Sequence, residues 1–253
     1  MRMLLSDDLV METCLLAGMI MLKSGAETYR VEDTMVLIAK AANMEDANSF
    51  VTPTSLIFSF CGGHKDRTRM VRVRDRTFDL NKVTLVNDVS RRFVAGKITL
   101  LEAYNRLQEI DQMKPLYPAW LQHIAAGLAS GSFALLIGGT LMDFLPTAAA
   151  AILVNLGVFY FQQVLKVKFF AEFMAGFIGG LLILFFYRCF PLLHLDLMLI
   201  GTMLPLFPGI AVTNSIRDLM AGDLVAGVSR GAEAILTALS IASAAAIVLS
   251  FAR

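Results

Sequence analysis

The sequence predicts an α-helical polytopic membrane protein with about five transmembrane helices and an N-terminal α+β cytoplasmic domain. Of its 253 residues, 57% are hydrophobic and 17% are charged, whereas about 25% of residues in a typical soluble domain are charged. The charges are also unevenly distributed, because residues 1–118 hold 16 of the 22 Lys and Arg residues and 15 of the 21 Asp and Glu residues. We therefore expect a cytoplasmic domain of helices plus a β-hairpin over residues 1–114, and a transmembrane helical domain over residues 119–253.

Composition also indicates which partners and cofactors the protein is not expected to bind. A net charge of +1 gives no reason to expect nucleic acid as a partner. Cys14, Cys61 and Cys189 are scattered and odd in number, which is typical of neither a disulfide framework nor a metal-binding cluster. Asp7 and Asp8 interrupt the first apolar stretch, so we expect no signal peptide. We expect no metal ion and no other cofactor.

Apolar residues at helical spacing predict four helices in the N-terminal domain. Three of them cover residues 7–23, 28–42 and 80–93. A capping box at Thr99 and Glu102 opens the fourth, which is short. The domain contains no recognisable nucleophile–base pair or metal-ligand cluster, so we do not expect an enzyme.

Between the second and third helices the apolar period changes to two. Leu56, Phe58 and Phe60 alternate with other residues, and Val71 and Val73 alternate with arginines. This pattern predicts a β-hairpin with a loose turn. The residues expected to be solvated are His64 in the turn and Arg72, Arg74 and Arg76 on the second strand. The alternative for the three arginines is contact with anionic lipid on the cytoplasmic leaflet.

The rest of the chain consists of five apolar runs, each close to the ~20 residues that a helix needs to cross a bilayer. The runs cover approximately residues 120–140, 144–164, 169–187, 193–216 and 232–251. Basic residues predict the orientation, because they are enriched on the cytoplasmic side. A cytoplasmic N-terminus and an external C-terminus place Lys166, Lys168, Arg217 and Arg230 inside, and Arg188 and Arg253 outside. The lipid bilayer is therefore an expected partner.

Small residues recur at helical spacing within three of these runs. They are Gly127 and Gly131 in the first, Ala171, Ala175, Gly176, Gly179 and Gly180 in the third, and Ala234, Ala238, Ala242 and Ala246 in the fifth. Such stripes allow helix backbones to approach closely in lipid. We favour packing within the bundle as their role, and an interface with another subunit is the alternative.

The fourth apolar run contains an interruption. Pro205 and Pro208 lack backbone N–H groups, so the carbonyls of Gly201 and Leu204 lose their helical partners. Gly209 permits a sharp change of backbone direction. Because unpaired backbone groups are costly in hydrocarbon, we predict a half-helix that starts near Gly209 and points its N–H groups into a water-accessible pocket. The positive end of such a helix suits a carboxylate.

Three polar residues follow on one face of that half-helix, because Asn214, Arg217 and Asp218 are spaced at i, i+3 and i+4. Together with the two prolines and Gly209 they form a candidate substrate-binding site. Asn214 would line the path toward the cytoplasm, and Arg217 would attract an anionic substrate or pair with Asp218 as a gate. The alternative is a proline kink healed by packing, with Arg217 and Asp218 as anchors at the membrane interface.

Asn155 and Glu172 are further polar residues inside apolar runs and complete the candidate substrate-binding set. Glu172 lies near the cytoplasmic start of the third run. We favour a role as a cap at a helix N-terminus, because Lys166 and Lys168 place it near the interface. The alternative is that Glu172 carries a coupling proton.

Four segments together resemble the threonine/serine exporter family, and in particular its smaller, YjjP-like members. They are residues 24–34 (SGAETYRVEDT), 50–55 (FVTPTS), 96–103 (GKITLLEA) and 208–218. The resemblance covers nearly the whole chain. It implies a gradient-driven exporter in the bacterial cytoplasmic (inner) membrane, with threonine, serine or small carboxylates such as succinate as the small-molecule substrate.

The resemblance also implies a partner. Long members of the family carry a second membrane half fused to the first, and this chain departs from that pattern. It is therefore expected to work with a second small polytopic membrane subunit, which would be YjjB-like. The leading hypothesis is an exporter subunit, and the alternatives are a membrane-anchored hydrolase that acts through the N-terminal domain and a scaffold or assembly subunit.

Overall fold

The computed structural model describes residues 2–62, 65–74 and 77–252, and side chains from residue 7 onward. Its helices are α1 (Arg2–Lys23), α2 (Thr28–Ala41), α3 (Leu80–Val94), α4 (Leu100–Gln112), α5 (Ala119–Leu136), α6 (Leu141–Leu165), α7 (Lys168–Cys189), α8 (Leu195–Met203), α9 (Gly209–Ala221) and α10 (Leu224–Ser250). The strands are β1 (Glu45–Thr52), β2 (Ser55–Gly62) and β3 (Lys65–Arg72), and a 3-10 turn covers Leu204–Leu206.

The chain divides into two compact units. The first contains Met1–Pro115 and Ile210–Gly231, and the second contains Leu116–Gly209 and Ala232–Arg253. Residues 210–231, which follow the interruption in the fourth apolar run, are thus grouped with the N-terminal residues. The domain boundaries expected from the sequence, at 114 and 119, stay a prediction.

Helix α1 is the central helix of the first unit. The predicted apolar face is buried, with Val10, Cys14 and Met21 each at most 1% exposed. Met11 and Ile20, which lie off that face, are buried as well. Since apolar side chains on almost every side are covered, α1 is a core helix rather than a surface helix with one apolar stripe.

The predicted hairpin is present as β2 and β3, which pair in antiparallel register with Leu56 opposite Val71. Strand β1 was not predicted, and it pairs antiparallel with β2 to complete a sheet with the order β1-β2-β3. Along β1 only Val51 is buried, so this polar edge strand lacks the apolar alternation that reveals a half-buried strand. The predictions for His64 and Arg76 fall outside the described residues.

Local sequence signals fix the ends of the remaining helices in the first unit. At the start of α4, the Glu102 backbone N–H donates to Thr99 Oγ1 (3.3 Å) and the Thr99 N–H donates to Glu102 Oε2 (2.7 Å). The predicted capping box is therefore confirmed. At the start of α3, Asp79 accepts the Lys82 N–H (3.2 Å) as an N-cap.

The second unit contains the helices that could cross a membrane. Among the described residues, α6, α7 and α10 are long and apolar enough to do so, and α8 with the 3-10 turn and α9 adds a fourth if this bent pair counts as one span. The five predicted spans are therefore not confirmed. Helix α5 occupies most of the first predicted run, but Gln122 and His123 reduce its hydropathy.

Glycines bring helices of the second unit into close contact. A Cβ at Gly127 would lie 2.8 Å from the Ala148 carbonyl oxygen, and one at Gly179 would lie 2.2 Å from Val154. The first and third small-residue stripes therefore pack within the chain, as favoured from the sequence. The stripe on α10 differs, because Ala234 is buried whereas Ala238, Ala242 and Ala246 are exposed.

Candidate functional site

The predicted interruption of the fourth apolar run is present. Pro205 lies in the 3-10 turn and α9 begins at Gly209, directly after Pro208. The two helical segments are bent by 62° at this break. The carbonyls predicted to lose their partners are nevertheless satisfied, because Gly201 accepts the Leu204 N–H and Leu204 accepts the Phe207 N–H (3.1 Å). The 3-10 hydrogen bonds replace the helical bonds that the prolines remove.

The polar face of α9 contacts the segment that precedes α2. Asn214 Nδ2 donates to the Gly25 carbonyl oxygen (3.0 Å), and the Arg217 guanidinium pairs with the Glu27 carboxylate. Asp218 accepts the Thr28 backbone N–H at Oδ1 (3.0 Å) and the Thr28 hydroxyl at Oδ2 (3.1 Å). The structure therefore places all three predicted side chains against one short segment.

Backbone geometry explains why this segment needs an acceptor from elsewhere. Gly25 has φ +88°, a left-handed conformation that glycine adopts readily, and it turns the chain out of α1. Glu27 is the N-cap residue of α2 but makes no side-chain capping hydrogen bond. The first N–H groups of a helix lack internal partners, and the Asp218 carboxylate supplies one at the positive end of the helix dipole.

Arg230, at the start of α10, completes the cluster. The residue is 7% exposed. Its guanidinium donates to the Ala26 carbonyl oxygen (2.9 Å) and lies 3.2 Å from Asp218 Oδ2. Because Asp218 itself is fully buried, this contact compensates both charges. We call the cluster of residues 25–28, Asn214, Arg217, Asp218 and Arg230 the polar junction.

The polar junction differs from the predicted site in its pairings. Arg217 pairs with Glu27 and Asp218 pairs with Arg230, so the suggested gate between Arg217 and Asp218 is not formed. The sequence analysis used Arg230 only as an orientation signal and missed its role. No local signal indicated the pairing with Asp218, because Glu233 and Asp223 are acidic residues closer to Arg230 along the chain.

Glu27 is a buried carboxylate of the polar junction that pairs with two more exposed arginines. Burial alone would raise the pKa of this carboxyl group, but a backbone hydrogen bond, the Arg217 guanidinium and the Arg30 guanidinium together hold its pKa below the ordinary value. Arg30 Nη1 lies 3.2 Å from Glu27 Oε2. The carboxylate is therefore ionised in the folded protein and fixes two arginines at the entrance of α2.

Two further carboxyl groups lie beside the polar junction. Burial, together with the negative charges of Asp223, Asp33 and Asp218, raises the pKa of Glu32 to about 7 although its carboxylate accepts the Val51 N–H (2.8 Å). Burial and the charges of Asp218 and Asp33 also raise the pKa of Asp223. Among the described residues, Asp223 Oδ2 has no hydrogen-bond partner. Of these two groups, Glu32 is the one whose pKa of about 7 lies near neutrality.

The Glu32→Gln variant is expected to lose a specific pH dependence of stability. The pKa of Glu32 is raised from 4.5 to about 7 in the folded chain, so the native state retains a proton that the unfolded chain releases. The contribution of Glu32 is therefore most favourable below pH 4.5 and is lost as the pH rises to about 7. Glutamine keeps an acceptor for the Val51 N–H and cannot ionise. Thermal unfolding of the two detergent-solubilised chains across this pH range should diverge with increasing pH, and parallel curves would contradict the assignment.

Asn155 and Glu172 belong to the second unit. Asn155 Oδ1 lies 2.9 Å from Nδ1 of His123 on the neighbouring helix α5, which gives it a structural partner. The favoured role of Glu172 as a helix cap is wrong. Helix α7 begins at Lys168 and has no acidic residue in its first turn, so Glu172 lies too far along the helix to reach its terminal N–H groups.

The second unit contains a polar cluster that the sequence did not predict, formed by Thr140, Asp143 and His194. Asp143 is fully buried at the start of α6, where it forms a capping box with Thr140. It also accepts the His194 N–H (2.8 Å) and lies 2.9 Å from His194 Nδ1. The spacing of Thr140 and Asp143 was a local signal for this helix start, whereas the contact with His194 joins positions 51 residues apart.

Apolar helices of spanning length, one interrupted helix and buried charges are typical of a polytopic membrane protein of the transporter class. Comparison with known proteins shows the family. The family model described as "Putative threonine/serine exporter" matches residues 12–252. The chain belongs to this family, and the resemblance found in its sequence is confirmed.

Several relatives are similar over the whole chain or part of it. The "Probable succinate transporter subunit YjjP" of Klebsiella aerogenes is 24% identical over 241 residues, covering 91% of this chain and 89% of the relative. The protein of the same name from Escherichia coli (strain K12) is 24% identical over 255 residues, covering 95% and 93%. The "Probable threonine/serine exporter" of Mycobacterium tuberculosis is 30% identical over 141 residues, covering 53% of this chain and 26% of the relative. No solved structure matches.

Proposed function

We propose that this chain is a subunit of a gradient-driven membrane exporter of small amino acids, such as threonine and serine, or of small carboxylates such as succinate. The observation that carries the proposal is the polar junction. It joins two of the four segments that resemble the family, residues 24–34 and 208–218, and one of them begins at the helix interruption. Membership of the exporter family favours this function over that of a membrane-anchored hydrolase.

The chemistry of the polar junction supports a substrate with a carboxylate. The Thr28 N–H, the Thr28 hydroxyl and the Arg230 guanidinium converge on the Asp218 carboxylate. Backbone N–H groups at a helix start, a hydroxyl and a guanidinium form a favourable set of donors for any carboxylate. We propose that a substrate carboxylate competes with Asp218 for these donors, which would separate α9 from α2 during transport.

The remaining candidate residues have supporting roles in this proposal. Pro205, Pro208 and Gly209 hold the interruption that allows α9 to move as a separate segment. Asn214 and Arg217 keep the segment attached to residues 25–27 between transport events. Asn155 and Glu172 would line a later part of the path through the second unit.

A second small polytopic membrane protein is the proposed partner. Two relatives are named as transporter subunits, and residues 238, 242 and 246 expose small side chains on α10. The chain should transport only together with this partner. Purified chain and the membrane protein encoded beside it would be placed in liposomes, separately and together, and the efflux of threonine, serine and succinate measured. Efflux from the single chain would contradict the partnership, and no efflux from the pair would favour a scaffold.

The proposed location is the bacterial cytoplasmic membrane, with the N-terminus inside and the C-terminus outside. This arrangement needs an odd number of crossings, so α5 would be a fifth span beside α6, α7, the bent pair and α10. Single cysteines at positions 166 and 252, in a chain that lacks Cys14, Cys61 and Cys189, should react with a membrane-impermeant thiol reagent from opposite sides. Between these positions lie α7, the bent pair and α10, so opposite labelling requires three crossings. Labelling from the same side would mean that the bent pair is re-entrant, and the proposed location of the C-terminus would then be wrong.

A further inference from the structure

Glu172 is a buried carboxylate whose charge is incompletely compensated. It lies on α7, one of the helices able to cross a membrane, and is 5% exposed. The nearest cation is Lys168, whose Nζ lies 3.9 Å from Glu172 Oε1 but only 2.6 Å from Glu233 Oε1. Since Lys168 is held more closely by Glu233, Glu172 has only a share of one positive charge.

Two buried polar side chains face each other at this position, Glu172 and Thr237. Thr237 on α10 presents its hydroxyl to the Glu172 carboxylate and is 1% exposed. Among the described residues, neither Glu172 Oε2 nor Thr237 Oγ1 has a hydrogen-bond partner at bonding distance. A buried oxygen without a partner is costly, and the cost is larger for an ionised carboxylate in a membrane helix. The Thr237 hydroxyl can donate to the ionised carboxylate or accept from the protonated one, so this position accommodates Glu172 in both protonation states.

The position also adjoins the helix interruption. Gly176, one turn after Glu172, faces Met203 at 3.2 Å and Leu206 at 3.3 Å from the place of its missing Cβ. Leu206 ends the 3-10 turn that interrupts the fourth apolar run. A change at Glu172 can therefore reach the interruption through direct packing, without a long chain of contacts.

We propose that Glu172 is the proton-binding site that couples the transmembrane gradient to export. The carboxylate takes one proton from water on one side of the membrane and its O–H donates to Thr237 Oγ1. The neutral side chain later releases the same proton to the other side. The step changes the charge of this site from −1 to 0 and requires no other reactant. The inference rests on the proposed exporter function, and it assigns the coupling ion and its binding residue.

The state of Glu172 can be measured without any transport. A hydrophobic carbodiimide modifies protonated carboxyl groups that are shielded from water, and mass spectrometry locates the modified residue. In membranes containing the full chain and its partner, we expect modification of Glu172 to decrease as the pH rises. Absence of modification at every pH would overturn the inference.

The charged groups that face Glu172 among the described residues, Lys168 and Glu233, provide matched controls. Glu233→Gln removes a negative charge and leaves Glu172 as the carboxylate paired with Lys168. The labelling midpoint should therefore shift to lower pH. Lys168→Gln removes the cation, so the midpoint should shift to higher pH. Shifts of the same sign, or no shift in either variant, would contradict a proton site at Glu172.

The coupling is tested by flux. Glu172→Gln should reduce efflux driven by a pH gradient at least about tenfold, a barrier change of roughly 1.4 kcal/mol, while exchange of substrate across the membrane continues. Glu172→Asp keeps the ionisable group and should retain part of the gradient-driven efflux. Unchanged gradient-driven efflux by Glu172→Gln would overturn the inference and leave the exporter function standing. If the unmodified pair transports nothing, the proposed function fails, and the labelling experiment still decides the proton site.

Discussion

Replacing Asp218 by alanine is expected to destabilise the chain by about 3–5 kcal/mol, the usual cost of removing one member of a buried ion pair, and to abolish transport. The substitution leaves the buried Arg230 guanidinium without its carboxylate and removes the acceptor of the Thr28 N–H and hydroxyl. Chemical unfolding of the detergent-solubilised chain measures the first effect. Efflux from liposomes that contain the chain and its partner measures the second.

Three further variants distinguish the loss of the ion pair between Asp218 and Arg230 from the loss of the hydrogen-bond acceptor for Thr28. Asp218→Asn keeps an acceptor for the Thr28 N–H, so its loss of stability should be smaller than that of the alanine variant. Combining Asp218→Ala with Arg230→Met removes both charges and should recover part of the stability. Arg217→Gln acts on a pair that is largely exposed on the arginine side, so it should weaken apparent substrate affinity more than folding. Additive effects of the Asp218 and Arg230 substitutions would contradict the buried pair.

The second large effect is expected at the helix interruption. Replacing Pro208 and Gly209 together by alanine supplies the missing N–H group and favours a continuous helix. A Cβ at Gly209 would meet only Phe207 Cδ1, at 3.9 Å, so the variant should insert and accumulate normally. Efflux should nevertheless fall at least about tenfold, which corresponds to roughly 1.4 kcal/mol in the barrier, because α9 can no longer move separately.

A proline elsewhere provides the matched control. Pro146 lies inside α6, where alanine would also supply an N–H group but would leave the interruption intact. We expect Pro146→Ala to transport at close to the original rate. If the variant at 208 and 209 accumulates normally and transports as well as the Pro146 variant does, the interruption is a packing kink and has no role in transport.

Local patterns revealed most of the helices because the forces that set them are local. The capping box at Thr99 and the interruption at Pro208 depend on residues within a single turn, and both are present. Strand β1 escaped detection because pairing with β2, rather than an apolar face of its own, places it in the sheet. The same limit applies to Glu172, whose assignment as a cap depended on a helix start that the sequence did not define to within one turn.

The polar junction contains contacts that sequence spacing could not predict. The sequence indicated that Asn214, Arg217 and Asp218 share a helix face, and they do. It could not indicate that this face meets Gly25 and Thr28, because the hydrogen bonds from Thr28 to Asp218 join positions 190 residues apart. No periodicity or spacing rule reaches that distance. The resemblance to a family marked both segments but did not indicate that they touch.

The distance between Thr28 and Asp218 also has a consequence for biosynthesis. Ribosomes add about 5–20 residues per second, so Asp218, the acceptor for the first N–H of α2, is added roughly 10–40 s after Thr28. Until then the N-terminal unit lacks the Asp218 carboxylate, the Arg230 guanidinium and the rest of residues 210–231. A chain whose synthesis stops before residue 210 therefore carries an incomplete N-terminal unit. The N-terminal unit can therefore be completed only after helices α5 to α8 have been synthesised.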